Sequence, residues 1–233
     1  MPTSSYQVRR SELLTYFDRT AVEAWSRLTT DAPVSGIRAT VRAGRDRMRQ
    51  TLLSWLPVDL RGRRVLDAGC GTGLLAVEAA RRGADVLAID LSPTLISLAI
   101  ERLPTDLGAG RIDFAVGDML ADDLGRFDYV VAMDSLIHYR AGDMVQVLAR
   151  LTAATDASVA FTFAPRTAPL TVMHAVGRLF PRSNRAPAIE PVAERALRER
   201  LATDAETGPW QLGRSERVVS GFYTSQALEL LAP

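Results

Sequence analysis

Val65-Leu66-Asp67-Ala68-Gly69-Cys70-Gly71-Thr72-Gly73 is a short apolar run, acidic near its end, that breaks into three alternating glycines. Val65–Ala68 reads as a strand, and Leu74–Arg82 as a helix closed by Gly83. Glycines between a strand and a helix let the backbone turn sharply and let a ligand come within contact distance of it. A second strand, Asp85–Asp90, places a carboxylate nineteen residues after Gly71. In such a β-α-β unit that acid is placed to accept hydrogen bonds from ribose hydroxyls.

The alternation continues outward. Ser92-Pro93 supplies an N-cap and an N1 proline for a helix to about Leu103. Arg111–Val116 is a third strand, and Phe127–Met133 a fourth that is apolar enough for burial on both faces. A helix over about Asp143–Ala154 leads to a fifth strand, Ser158–Phe163. Strand-helix repetition of this kind predicts an α/β fold with a mostly parallel sheet and helices on both faces. Upstream, Leu14, Phe17, Ala21, Trp25 and Leu28 recur at helical spacing until Asp31-Ala32-Pro33 breaks the pattern. A second helix carries Ile37, Val41, Met48, Leu52 and Trp55, and Pro57 ends it. On this helix Arg38, Arg42, Arg45 and Arg49 share one face. Downstream, Leu170–Phe180 reads as an amphipathic insert and PRSNRAPAIEP (181–191) as a loop. A helix at Val192–Ala202 and closing strands at Trp210–Val219 and Phe222–Leu230 follow.

Composition narrows the function. The 233 residues are 47% hydrophobic and 24% charged, the balance of a globular chain. Cys70 is the single cysteine, so an intrachain disulfide is excluded and a reducing, cytoplasmic setting is expected. His138 and His174 lie far apart, and no zinc cage is visible. No apolar run approaches transmembrane length and no signal-peptide core is present. All 28 basic residues are arginine, against 27 acids. A net charge of +1 argues against a nucleic-acid partner. The arginine-rich first 64 residues can face an anionic small molecule, or form a solvated face.

The glycines alone leave the nucleotide open. Gly71-x-Gly73-x-x-Ala76 also fits a dinucleotide fingerprint, which would suit an NAD-dependent reductase. Two features favour S-adenosylmethionine. Asp67, just before the loop, suits a sulfonium and an amino group better than a pyrophosphate. Asp118-Met119, after the third strand, offers a carboxylate for an adenine amino group and an apolar side chain for its ring.

VLDAGCGTG (65–73), AIDLS (88–92), GDM (117–119) and FDYVVAMDSLIHY (127–139) resemble the ordered motifs of class I S-adenosylmethionine-dependent methyltransferases. Five further segments are similar to the magnesium-protoporphyrin IX methyltransferases of (bacterio)chlorophyll synthesis. They are YFDRTAVEAWSRL (16–28), VRAGRDRM (41–48), SLIHY (135–139), FPRSNRAP (180–187) and GFYTSQALEL (221–230). The chain departs from oxygenic members, which carry a Tyr-Gly pair where Leu28-Thr29-Thr30 stands. The resemblance implies a single Rossmann-like domain. Its parts would be a helical arm or lid at 1–62, a cofactor core at 63–164, a substrate-side insert and helix at 165–208, and closing strands at 209–233. It implies methyl transfer from S-adenosylmethionine to a propionate of magnesium protoporphyrin IX, and association with the large subunit of magnesium chelatase. Peripheral contact with the photosynthetic membrane fits the same picture.

The expected cofactor contacts are Asp67, Gly69, Cys70, Gly71, Gly73, Asp90, Leu91, Ser92, Asp118, Met119 and Asp134, with Tyr16 and Phe17 on the arm. Arg38, Arg42 and Arg45 are the substrate-binding candidates. His138 and Tyr139 follow the fourth strand, where ligands bind in open α/β sheets, and are the catalytic candidates. Cys70 is expected to serve as a small loop residue, and His174 as a surface or interface histidine.

Overall fold

The computed structural model describes residues 3–19, 36–166 and 189–233. The later part of the first expected helix (Ala21, Trp25, Leu28), the Asp31-Ala32-Pro33 break and the Leu28-Thr29-Thr30 departure lie outside the described residues. So do the insert with His174, most of the 181–191 loop and the Phe17 side chain.

Strands β1 (Arg64–Ala68), β2 (Asp85–Asp90), β3 (Arg111–Val116), β4 (Phe127–Ala132) and β5 (Thr155–Phe163) are parallel to their neighbours. β7 (Tyr223–Leu231) runs antiparallel to β5 and pairs with β6 (Gln211–Ser220), giving the order β3-β2-β1-β4-β5-β7-β6. The sheet is mostly parallel, with the expected helices on both faces. The order reverses between β1 and β4, which opens a crevice at the carboxyl ends of those strands.

Helices α2 (Gly36–Trp55) and α3 (Leu74–Arg81) cover one face, burying Met48, Leu52, Leu75 and Ala79 against Val65, Val86, Val131 and Ala160. On the other face α5 (Ala141–Ala153) and α6 (Glu194–Thr203) bury Met144, Leu148, Leu197 and Leu201 against Leu66, Val130, Val159 and Leu228. Local signals set the ends. Ser92 caps α4 (Pro93–Glu101) by accepting from the Leu95 N–H, with proline at its first position. Past α3, the Gly83 and Ala84 N–H groups donate to the carbonyls of Ala80 and Ala79, a Schellman closure at a glycine of φ 95°.

Several boundaries shift by one to three residues from the sequence reading, β5 beginning at Thr155 rather than Ser158 and α5 at Ala141 rather than about Asp143. Those of α1 and α6 differ as well. α1 begins at Ser4, ten residues before the periodic stretch that starts at Leu14, and runs to Arg19. Helix α6 starts at Glu194 rather than Val192, because Val192 is drawn into a parallel bridge with Pro165. Its N–H donates to the Ala164 carbonyl, and its own carbonyl accepts from Arg166.

Candidate active site

The three loop glycines all take left-handed φ: 81° at Gly69, 56° at Gly71 and 75° at Gly73. A side chain at Gly69 would also collide with Ser135, its Cβ standing 2.4 Å from that of Ser135. The loop is tied to the second strand. Gly69 and Cys70 N–H donate to the Ile89 carbonyl, and the Gly71 N–H donates to Asp90 Oδ2 at 2.8 Å. Asp90 Oδ1 accepts from the Ser92 N–H at 2.9 Å. Each Asp90 oxygen therefore keeps acceptor capacity beyond its backbone partner.

Above the loop lies an open cavity of about 1080 Å³, its solvent-filled mouth included. Its floor is Asp67, Gly69, Cys70, Gly71 and Thr72; Ile89, Asp90, Leu91, Gly117 and Met119 form the side wall. The opposite wall carries Met133, Asp134, Ser135, His138 and Tyr139, and α2 adds Arg45, Asp46 and Arg49. Asp67 is 1% exposed, and its Oδ2 has no hydrogen-bond partner among the described residues. Burial, then the nearby Asp90 charge, push its carboxyl up to about 7. Burial likewise raises Asp90, against the pull of its backbone N–H donors. The Cys70 thiol is pushed well up by burial and by Asp67 and Asp90, which makes it a poor thiolate and a plain loop residue.

A buried carboxylate with one oxygen unpartnered among the described residues, beside a glycine turn, fits a cationic group that comes as close as the missing Cβ atoms allow. The donor set therefore fits S-adenosylmethionine. In such a complex Asp67 would take the sulfonium and amino group, Asp90 the ribose, and Met119 with Leu91 the adenine ring.

The expected residues do not all meet there. Gly69, Cys70, Gly71, Leu91, Met119, Asp134, Arg45, His138 and Tyr139 line the cavity with the two acids. Ser92 is buried as a helix cap, and Gly73 caps α3 with its Cβ position against the Phe114 ring. Asp118 is turned away. Its Oδ1 accepts from the Tyr6 hydroxyl at 2.7 Å and the Leu120 N–H at 2.9 Å, and Oδ2 pairs with Arg10 at 2.9 Å. Arg38 is exposed on the first turns of α2, and Arg42 is half-buried off the cavity wall. Tyr16 sits half-buried on α1, its hydroxyl raised by burial, outside the lining.

Other residues come to the site without having been singled out. Tyr6 stacks on Tyr139 with ring centroids 5.1 Å apart, and Leu13 of the same helix reaches the cavity. Burial raises both tyrosine hydroxyls well above their usual range, so both stay protonated. Tyr223 donates to Asp134, and Arg45 pairs with Asp134 at 2.8 Å. Tyr223 lay within the quoted GFYTSQALEL segment; nothing in the pattern around Tyr6 marked it.

A glycine turn at the sheet's switch point, with one acid below it and one on the next strand, defines a class I S-adenosylmethionine-dependent methyltransferase. A methyltransferase-domain family matches residues 65–157, and the magnesium-protoporphyrin IX methyltransferase C-terminus family matches residues 132–232. The magnesium-protoporphyrin O-methyltransferase of Rhodobacter capsulatus is 54% identical over 97% of this chain and 98% of its own length. The chloroplastic magnesium protoporphyrin IX methyltransferase of Arabidopsis thaliana is 30% identical over 92% of this chain and 68% of its own. The crystal structure of magnesium protoporphyrin IX methyltransferase from Synechocystis PCC 6803 with bound SAH superimposes with a TM-score of 0.83. That match is 28% identical and covers 96% of this chain and 100% of the other. The chain belongs to the magnesium-protoporphyrin O-methyltransferase family. The dinucleotide alternative left open by the glycine spacing falls with that membership. Among the described residues no cluster of His, Cys, Asp and Glu could hold a metal ion, and no helix is long and apolar enough to cross a membrane.

Proposed function

We propose that this chain esterifies one propionate of magnesium protoporphyrin IX with the methyl group of S-adenosylmethionine, in the (bacterio)chlorophyll pathway. One observation carries the reading. A single cavity holds the cofactor-type floor of Asp67 and the glycine loop and, on its facing wall, Arg45, His138 and Tyr139.

S-adenosylmethionine supplies an electrophilic methyl on a positively charged sulfur. A propionate ionises near the value of a glutamate, about 4.3, so the nucleophile is already an anion at neutral pH. A carboxylate oxygen forms the bond to the methyl carbon while the carbon–sulfur bond breaks, its electron pair staying on sulfur. No proton moves. The protein's work is therefore orientation and exclusion of water. Asp67 holds the cationic end of the donor, and Asp90 anchors its ribose. His138, 7% exposed on the facing wall, orients the reacting carboxylate; Tyr139 packs behind it under Tyr6. Arg45 grips the non-reacting propionate, since tight pairing at the reacting one would lower its nucleophilicity.

Helix α1 acts as an arm over the cavity, held by Tyr6, Arg9 and Arg10. Association with the large subunit of magnesium chelatase, and peripheral membrane contact, would deliver and remove a poorly soluble porphyrin; co-purification of the two proteins tests the first. Purified protein incubated with methyl-labelled S-adenosylmethionine and magnesium protoporphyrin IX is expected to yield labelled monomethyl ester. Absence of ester with a competent substrate preparation overturns the reading.

A further inference from the structure

We propose that Tyr223 and Ser225 of the closing hairpin are positioning residues for substrate selection, acting through Asp134 to fix Arg45 where it takes a substrate carboxylate. The proposal rests on the anionic-porphyrin reading above and assigns Asp134 to holding Arg45, not to contact with the cofactor.

Asp134, just past β4, is the only non-glycine residue with positive φ among the described residues, at 54°. Such a backbone persists only where its surroundings hold it. Here the hold is visible. The Asp134 N–H donates to Thr162 Oγ1 at 2.7 Å. Its carboxylate accepts from Arg45 Nη1 at 2.8 Å, from the Tyr223 hydroxyl at 3.1 and 3.2 Å, and from Ser225 and Thr162 hydroxyls at 3.3 Å each. The side chain is 5% exposed. A carboxylate so enclosed by donors from three elements has little capacity left for a ligand.

The hairpin is built to reach it. Gly221 has a φ of 56° and Phe222 is not in the left-handed region, the pattern of a two-residue type II′ turn. Ser220 Oγ donates to the Thr40 carbonyl at 2.8 Å, docking the turn on α2. At Gly44 a Cβ would stand 2.4 Å from the Tyr223 ring, so the missing side chain is what admits the ring between α2 and β7. Arg45 is the next residue, 21% exposed and on the cavity wall.

An arginine has several rotors, and one already held by a buried carboxylate meets a substrate carboxylate in a set orientation at lower entropic cost. The Asp134 charge also balances part of the guanidinium's. Arg45 can then direct a carboxylate through its N–H geometry without a full unit of attraction that would trap it.

The test begins with ester formation by the wild type; its absence overturns the functional reading rather than this relay. Binding of magnesium protoporphyrin IX and of its dimethyl ester, which lacks both carboxylates, is then measured for Tyr223→Phe, Ser225→Ala, Arg45→Ala and Tyr223→Phe/Arg45→Ala. S-adenosylmethionine affinity serves as the check on folding. Tyr223→Phe is expected to weaken diacid binding by about three- to ten-fold, the net worth of one ordinary hydrogen bond because the loss acts through Arg45 rather than on the porphyrin directly, with dimethyl ester and S-adenosylmethionine affinities retained. Ser225→Ala should act in the same direction, and Tyr223→Phe should add nothing once Arg45 is gone. Additive losses in the double variant, equal losses for diacid and dimethyl ester, or unchanged diacid affinity in both single hairpin variants would overturn the relay.

Discussion

A carboxyl held at about 7 changes charge within the range in which enzymes work, and at Asp67 the sign follows from the cause of the shift. Burial favours the protonated form, whereas a sulfonium or ammonium ligand favours the ionised one. Below about 7 the ligand must therefore displace a proton. S-adenosylmethionine affinity is expected to rise up to about tenfold per pH unit toward 7 and to level off above it. Without ligand the dependence inverts. From its ordinary 3.8 up to about 7 the folded protein holds a proton that the unfolded chain has released, so stability falls as pH rises through that window. Asp67→Asn should flatten both profiles, in titration calorimetry and thermal melts from pH 5 to 8, and bind the cofactor more weakly at pH 8. Asp90→Ala should weaken the cofactor too, by about 1.5–3 kcal/mol for each charge-assisted bond lost. Part of that loss comes through the Gly71 and Ser92 N–H groups that Asp90 now holds. His138 is a question of kcat. His138→Ala is expected to lower kcat with S-adenosylmethionine affinity kept and partial rescue by His138→Asn or His138→Gln. Lost affinity for magnesium porphyrin but not for metal-free porphyrin would mark axial ligation instead, and unchanged kcat and porphyrin binding would return His138 to the core.

Helix α1 shows where legibility from sequence stops. The βα elements were readable to within a few residues because their signals are local: apolar strands, a glycine loop, Ser92-Pro93, Gly83. The first turns of α1 carry no strong apolar stripe. Val8 is exposed, and burial falls on Tyr6 and Leu13. What docks the helix is polar and remote in sequence. Tyr6 and Arg10 meet Asp118, Thr3 and Ser5 meet Asp143, and Arg9 meets Glu190. The site divides in the same way. Asp67, the glycines and Asp90 were legible because one βαβ unit contains them. The Arg45–Asp134–Tyr223 chain was not, since each step spans 89 residues and only the fold brings them together. Because Asp118 meets two residues of α1, Tyr6 and Arg10, Asp118→Ala should loosen that helix selectively. Losing its bonds to Tyr6 and Arg10 is worth about 1–3 kcal/mol, so α1 amides should exchange roughly ten-fold or more faster, with β1–β5 unchanged. Uniform acceleration across the sheet would instead mean that Asp118 supports the whole fold.

Across the molecule, the two layers of helices meet different parts of one sheet, and the antiparallel β6–β7 hairpin has to be tied to the parallel core. The β5–β7 pairing makes that tie, and Arg214 adds a second one, from the hairpin to α2. Its Nε and Nη2 donate to Glu229 on β7 at 2.8 and 2.5 Å, its Nη2 also donates to the Trp55 carbonyl at 2.8 Å, and its guanidinium lies 5.3 Å from the Trp55 ring. The pair is uneven: the Glu229 side chain is 2% exposed, that of Arg214 49%. Gly213 makes room for the acid, since a Cβ there would stand 2.7 Å from Glu229 Oε2. Unequal burial makes the two halves of the pair unequal in consequence. Glu229→Gln leaves a cation that water can rescue and should cost about 1.5–3 kcal/mol, near the worth of a single charged hydrogen bond. Arg214→Ala strands a buried anion and unties Trp55, and should cost about 3–5 kcal/mol. The stranded carboxyl can relieve itself by taking up a proton, so the Arg214→Ala deficit should shrink between pH 7 and pH 5 while the Glu229→Gln deficit stays level. Urea unfolding of both variants at the two pH values decides it. Equal deficits, or an Arg214→Ala deficit indifferent to pH, would mean that the packing of Trp55, and not the buried charge, supplies what Arg214 contributes between the hairpin and α2.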